Sequence, residues 1–151
     1  MPEINVSQVK ELRDKTGASL AMIKKALTKA GGDSTRAIEV LKSLGHDAAT
    51  KKESRETYSG RIEAYVHPGA KVGVLLEIRS ETDFVARNEE FIKLAHIIAM
   101  QIAAMNPASI DELEAQPNIR DESQTIGDLI KNASASFGEH LGIKQFVRFE
   151  L

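Results

Sequence analysis

Four histidines, His46, His67, His96 and His140, stand in four separate stretches of the chain. No two of them sit four apart with a glutamate between, so the helical His-Glu-x-x-His zinc arrangement is absent. With no cysteine in 151 residues there is no thiolate zinc site, no thiol nucleophile and no disulfide. No Gly-x-x-x-x-Gly-Lys-[Ser/Thr] loop cradles a phosphate, no Gly-x-Gly-x-x-Gly follows a strand, and no Gly-x-Ser-x-Gly elbow presents a serine. The carboxylate pairs Glu89-Glu90 and Asp111-Glu112 fall at predicted helix starts. The helix dipole favours negative charge there, which accounts for them without catalysis. The expectation is a chain that is not an enzyme, with no catalytic residue, no metal and no cofactor.

One segment stands out instead: Ser80-Glu81-Thr82-Asp83-Phe84-Val85-Ala86-Arg87-Asn88-Glu89-Glu90-Phe91. Phe84 is set among Asp83, Arg87 and Asn88 at the join between a predicted strand and a long predicted helix. Connections of this kind run over the surface. Two readings follow. Phe84 either tucks beneath the following helix as an apolar plug, or it is an aromatic wedge held outward for a partner, as interface hot spots are.

The elements that must position this segment are legible from periodicity. Residues 1–46 read as three short helices. Asn5, Ser19 and Asp33 are the caps, Gln8 completes a capping box with Asn5, and Thr16-Gly17, Gly31-Gly32 and Gly45 are the stops. Residues 47–57 are polar and charged and read as a linker. From Tyr58 the period becomes two. Ile62, Ala64 and Val66 alternate with Arg61, Glu63 and Tyr65; after a Pro68-Gly69 turn, Val72, Val74, Leu76 and Ile78 alternate again. That predicts an antiparallel hairpin with one buried face, and Gly73 marks a bulge or a close backbone approach. Asn88 caps a long helix with Phe91, Leu94, Ala95, Ile98, Ile102 and Met105 along one side. Ser109 and Glu112 open a short helix, residues 116–124 read as loop, and Thr125 caps a helix with Ile126, Leu129, Ile130, Ala133 and Phe137 facing inward. Residues 143–151 read as a third strand with Val147, Phe149 and Leu151 on one side. The fold class is α+β: a three-helix N-terminal domain, then a core (58–151) with a small antiparallel sheet of three strands against helices.

Apolar residues are 42% and charged residues 28%, as in globular domains. The apolar runs are far below the ~20 residues that cross a bilayer. The start, Met-Pro-Glu-Ile-Asn, lacks a basic, apolar leader, which leads to a cytoplasmic expectation. The net charge is −2. A surplus of basic residues in 1–60 and of acidic ones beyond suggests two units with different surfaces. Basic charge is not clustered as nucleic-acid binding requires, and no nucleic acid is expected.

The run Thr82-Asp83-Phe84-Val85-Ala86-Arg87-Asn88-Glu89-Glu90-Phe91 closely resembles the signature of the elongation factor Ts family. So do Glu11-Leu12-Arg13-Asp14-Lys15-Thr16-Gly17-Ala18 with Lys24-Lys25-Ala26-Leu27 and Gly31-Gly32-Asp33, and the closing Phe146-Val147-Arg148-Phe149-Glu150-Leu151. The resemblance implies that residues 1–46 form a domain like a ubiquitin-associated domain. It also implies guanine-nucleotide exchange on elongation factor Tu, with Thr82, Asp83, Phe84 and Val85 intruding near the GTPase's magnesium and phosphate site. Docking through Leu12, Arg13, Thr16, Gly17 and Leu20 is implied as well. After Thr-Gly-Ala the family often has Gly-Met-Met-Asp-Cys; this chain has Ser19-Leu20-Ala21-Met22-Ile23. Long members carry two related core subdomains and a helical hairpin, whereas one core module fits here. A homodimer through that module, as in short members, is expected. The alternative is a ubiquitin-associated-type protein-binding module fused to a structural α+β domain.

Overall fold

The structure, a computed structural model, describes residues 4–151. Residues 1–3, which open the stretch read above for a leader, lie outside the described residues. The molecule is α+β, with two hydrophobic cores.

The first core is built by α1 (Val6–Thr16), α2 (Leu20–Lys29) and α3 (Ser34–Lys52), which enclose Leu12, Ile23, Ala26, Leu27, Ala37 and Leu41. Asn5, Ser19 and Asp33 cap these helices as their types predict, each accepting from a backbone N–H of the first turn. Two expectations fail. Gln8 forms no capping box; its amide nitrogen reaches the Gly32 carbonyl at 3.0 Å and so ties α1 to the α2–α3 turn. Gly45 does not end α3, which runs on through it to Lys52. Gly45 faces the core instead, and a Cβ there would touch the Ala135 Cβ at 3.4 Å. Packing across that surface continues the helix past a residue whose intrinsic preference is to stop it.

In the core, β1 (Ser59–Val66) pairs antiparallel with β2 (Val72–Ser80), and β2 pairs antiparallel with β5 (Gly142–Glu150), in the order β1-β2-β5. Between β2 and β5 come α4 (Asp83–Ala86), α5 (Glu89–Met105), α6 (Ile110–Ala115), β3 (Pro117–Asn118), β4 (Asp121–Thr125) and α7 (Ile126–Phe137). One face of the sheet lies on α5: Val74, Leu76 and Ile78 meet Phe91, Leu94, Ala95, Ile98 and Ile102. Met105, expected in that stripe, is exposed at the helix end. Arg148 closes α5 by donating from Nε and Nη2 to the Ala103 carbonyl at 3.1 and 3.0 Å.

The hairpin's buried face differs from the expectation. On β1 it is Glu63 and Tyr65 that turn inward, while Ile62, Ala64 and Val66 turn to solvent. Register decides this: Ala64 is opposite Leu75, on the outer side of β2, and Leu75 is opposite Val147. The buried Glu63 carboxylate is accommodated because Arg61 Nε lies 2.6 Å from it and His96 Nδ1 3.5 Å. Gly73 is approached by no other backbone closely, and the irregularity in β2 lies between Glu77 and Ile78.

Residues 116–124 are not simple loop: β3 and β4 form a small ribbon. Gln101, fully buried on α5, holds it by donating to the Gln116 side chain and the Pro117 carbonyl and accepting from Ile119 N. The ribbon's own residues are polar and give no alternation to read.

Candidate functional site

The site is the passage from β2 to α5. Ser80 ends β2 with its side chain buried, and its hydroxyl donates to the Thr82 carbonyl at 2.9 Å. Thr82 is extended and caps α4, accepting from Val85 N. The four-residue helix then turns its first two side chains outward and its last two inward. Val85 and Ala86 are each 4% exposed and belong to the core. Phe84 is 84% exposed. Val85 and Ala86 therefore anchor the turn that holds Phe84 out. Phe84 is therefore not an apolar plug beneath α5.

Asp83 sits in the first turn of α4, and its carboxylate pairs with Arg87 Nε at 2.7 Å. Asn88 begins α5 immediately after, accepting from Glu90 N at 2.9 Å. The segment is thus capped at both ends and has little slack.

Two groups that sequence reading missed brace it from the α7–β5 connection. The Glu139 carboxylate accepts from Glu81 N at 3.1 Å, Thr82 N at 3.0 Å and Thr82 Oγ1 at 2.6 Å. In return, the Glu81 carboxylate accepts from His140 N at 2.8 Å and lies 3.5 Å from Arg55 Nη1. The partners are 57 to 59 residues apart in sequence, so spacing offered no signal for them.

The residues expected to dock the N-terminal unit divide into two sets. Arg13, Gly17 and Leu20 are exposed around the α1–α2 turn. Thr16 is half-buried, its hydroxyl donating to the Leu12 carbonyl at 2.6 Å. Leu12 is 1% exposed and forms part of the first core; it supports the helix that carries Arg13 and offers no surface itself. Among the described residues no group of three or more His, Asp or Glu is placed to hold a metal ion. Nor is any helix among them long and apolar enough to cross a membrane.

The family model described as Elongation factor TS matches residues 81–151, which begin at the braced segment and end with β5. Relatives extend the match over the whole chain. An elongation factor Ts of Oleidesulfovibrio alaskensis is 36% identical over 196 aligned positions, covering all of this chain and 99% of that protein. One of Thermodesulfovibrio yellowstonii is 39% identical, covering 98% of this chain and 96% of its own length. One of Nostoc sp. is 42% identical over 151 positions, which is all of this chain and 48% of that longer protein. The first of these alignments is longer than this chain, so that relative carries internal residues that are missing here. With similarity running from α1 to β5 at this level, the chain belongs to the elongation factor Ts family.

Proposed function

We propose that this protein is a guanine-nucleotide exchange factor of translation elongation, acting in the cytoplasm on elongation factor Tu carrying GDP. The observation that carries the reading is Phe84, a large aromatic that is 84% exposed on a turn anchored from beneath by Val85 and Ala86. Thr82, Asp83 and Phe84 form the part that enters the GTPase beside its magnesium and phosphate site. Val85 is the inner anchor of that part. Arg13, Gly17 and Leu20 form the second contact, held in place by Leu12 and Thr16.

Such a factor makes and breaks no covalent bond, and needs neither metal nor cofactor of its own. It works by linkage. If it binds the nucleotide-free GTPase more tightly than the GDP form, it must weaken GDP binding by the same ratio. A ring inserted between partner elements creates that difference when it fits only after the phosphate loop and magnesium ligands have moved. Turning a 1:99 equilibrium into 99:1 takes ~5.5 kcal/mol of differential affinity. Burying one phenylalanine supplies ~1.5–3 kcal/mol, so the N-terminal docking surface must provide much of the rest.

The measurement that tests this is stopped-flow release of labelled GDP from elongation factor Tu. Phe84→Ala is expected to slow release at least ~10-fold, equivalent to ~1.4 kcal/mol. Its melting temperature is expected to stay within a few degrees of the parent's, because an exposed ring contributes little to folding. An unchanged release rate counts against the reading.

The same reading includes a homodimer through the outer face of the sheet. Ile62, Val66, Leu75, Val147 and Phe149 are all exposed there, and Phe149 is 71% exposed. A second copy supplies an apolar surface of the same make-up.

A further inference from the structure

We infer that Glu139 is a positioning residue for the Phe84 segment. It acts through the backbone of Glu81 and Thr82 and never touches the partner's nucleotide. The inference rests on the exchange reading above and adds to it the residue that keeps the wedge aimed.

Phe84 rides on a helix of one turn, and an isolated turn is not stable. Beneath it, Val85 and Ala86 fix its depth. They do not fix the path by which the chain leaves β2, because Thr82, Asp83 and Phe84 are all exposed. That path is set by Glu139 from one side and by the buried Ser80 hydroxyl on the Thr82 carbonyl from the other. One carboxylate oxygen takes the Glu81 and Thr82 amides and the other takes the Thr82 hydroxyl. The hydroxyl held in this way is the one that caps α4. Charge-assisted bonds of this kind are about twice as strong as neutral ones.

Glu139 is itself held firmly. Gly138 ends α7 at φ 72°, a left-handed conformation that turns the chain sharply and is disfavoured for residues with a Cβ. The buried Ser134 hydroxyl donates to the Glu139 carbonyl. The reciprocal contact from His140 N to Glu81 closes the pair of loops on each other. His140 Nδ1 donates to the Arg55 carbonyl at 2.8 Å, so the segment that leaves α3 joins the same cluster. An aromatic fixed in its bound position loses less conformational freedom on docking than one on a loose loop.

The test is a double-mutant cycle read by GDP release from elongation factor Tu, with thermal unfolding measured alongside. Glu139→Ala is expected to slow release about tenfold, and Glu139→Gln to recover most of that loss. The amide oxygen still accepts both N–H groups, and its NH2 can donate to the Thr82 hydroxyl. In a Phe84→Ala background, Glu139→Ala is expected to slow release by a markedly smaller factor, because the ring it aims is gone. A merely structural Glu139 would instead lower release by the same factor in both backgrounds, and that result overturns the inference. A loss from Phe84→Ala with none from Glu139→Ala overturns the brace and leaves the wedge; silence from Phe84→Ala overturns both. If Glu139→Ala does not fold, amide hydrogen exchange of the parent protein decides. Thr82 N–H is expected to be protected although its residue is exposed, and exchange at the unprotected rate refutes the brace.

Discussion

At Phe84 the fate of one side chain separates the two readings of its segment, an apolar plug under a helix or a ring left to solvent. Its neighbours carry that fate: Thr82 starts a helical turn, and the packing of Val85 and Ala86 into the core leaves Phe84 outward. Elsewhere the surroundings of one carboxyl push it off its ordinary value. Burial raises the Glu114 carboxyl above its ordinary value, the nearby Asp111 raises it further, and Lys131 opposes both. Its peptide group lies against the start of α7, where a Cβ on Gly127 would come within 3.0 Å of the Glu114 carbonyl. A carboxyl whose folded value is raised holds its proton more tightly when folded. Its charged form therefore penalises folding at neutral pH, and the penalty disappears as pH falls through the raised value towards 4.5. Glu114→Gln is expected to melt higher than the parent at pH 8, with the gap closing by pH 4. Melts at several pH values check this, and a gap independent of pH would remove burial as the cause.

Among the elements, the hairpin shows where pattern and packing part. β2 is read correctly because its apolar residues alternate on the face that meets α5. β1 alternates just as cleanly, yet its apolar set faces out. Alternation marks two faces without saying which one is inside; pairing with β2 makes that choice. The closeness of this pairing makes another position sensitive. At Gly60, opposite Arg79, a Cβ would lie 2.3 Å from the Ile78 carbonyl oxygen. Gly60→Ala is therefore expected to destabilise by ~1–3 kcal/mol through overpacking, although alanine suits a strand better than glycine does. Urea unfolding measures this; a neutral or stabilising result would mean that the strands separate there at little cost. The unexpected length of α3 belongs to this scale too, since contact with α7 at Gly45 overrides the local stop.

For the whole molecule, one sheet face covers the helices and the other is left bare. Turning Ile62, Val66, Leu75, Val147 and Phe149 outward is costly for a monomer, and a self-complementary pair of sheets removes that cost. Phe149→Glu is expected to convert a dimer to a monomer in light scattering at micromolar concentration, with the melting temperature dependent on protein concentration in the parent only. A monomeric parent at that concentration would refute the pairing. Two cores joined across α3 and α7, with His46 Nε2 3.6 Å from Asp128 Oδ1 at the α7 cap, set the distance between Phe84 and the α1–α2 turn. The exchange reading requires both sites to engage one partner.

The amino-acid order by itself determined most of the helices and their N-caps, the hairpin turn and the family signature. These depend on contacts within a few residues and on periodicities of 3.6 and 2. It also marked the run from Ser80 to Phe91, with Phe84 at its centre, as the segment of interest, because an aromatic among charges at a strand-to-helix join is a local pattern. Only the tertiary structure decided that Phe84 points out while Leu12 is buried, that β1 turns its apolar face to solvent, and that Glu139 grips Thr82. Each of these is a choice between two locally equivalent arrangements. It is made by groups tens of residues away, through burial and hydrogen bonds that exist only once the chain has closed on itself.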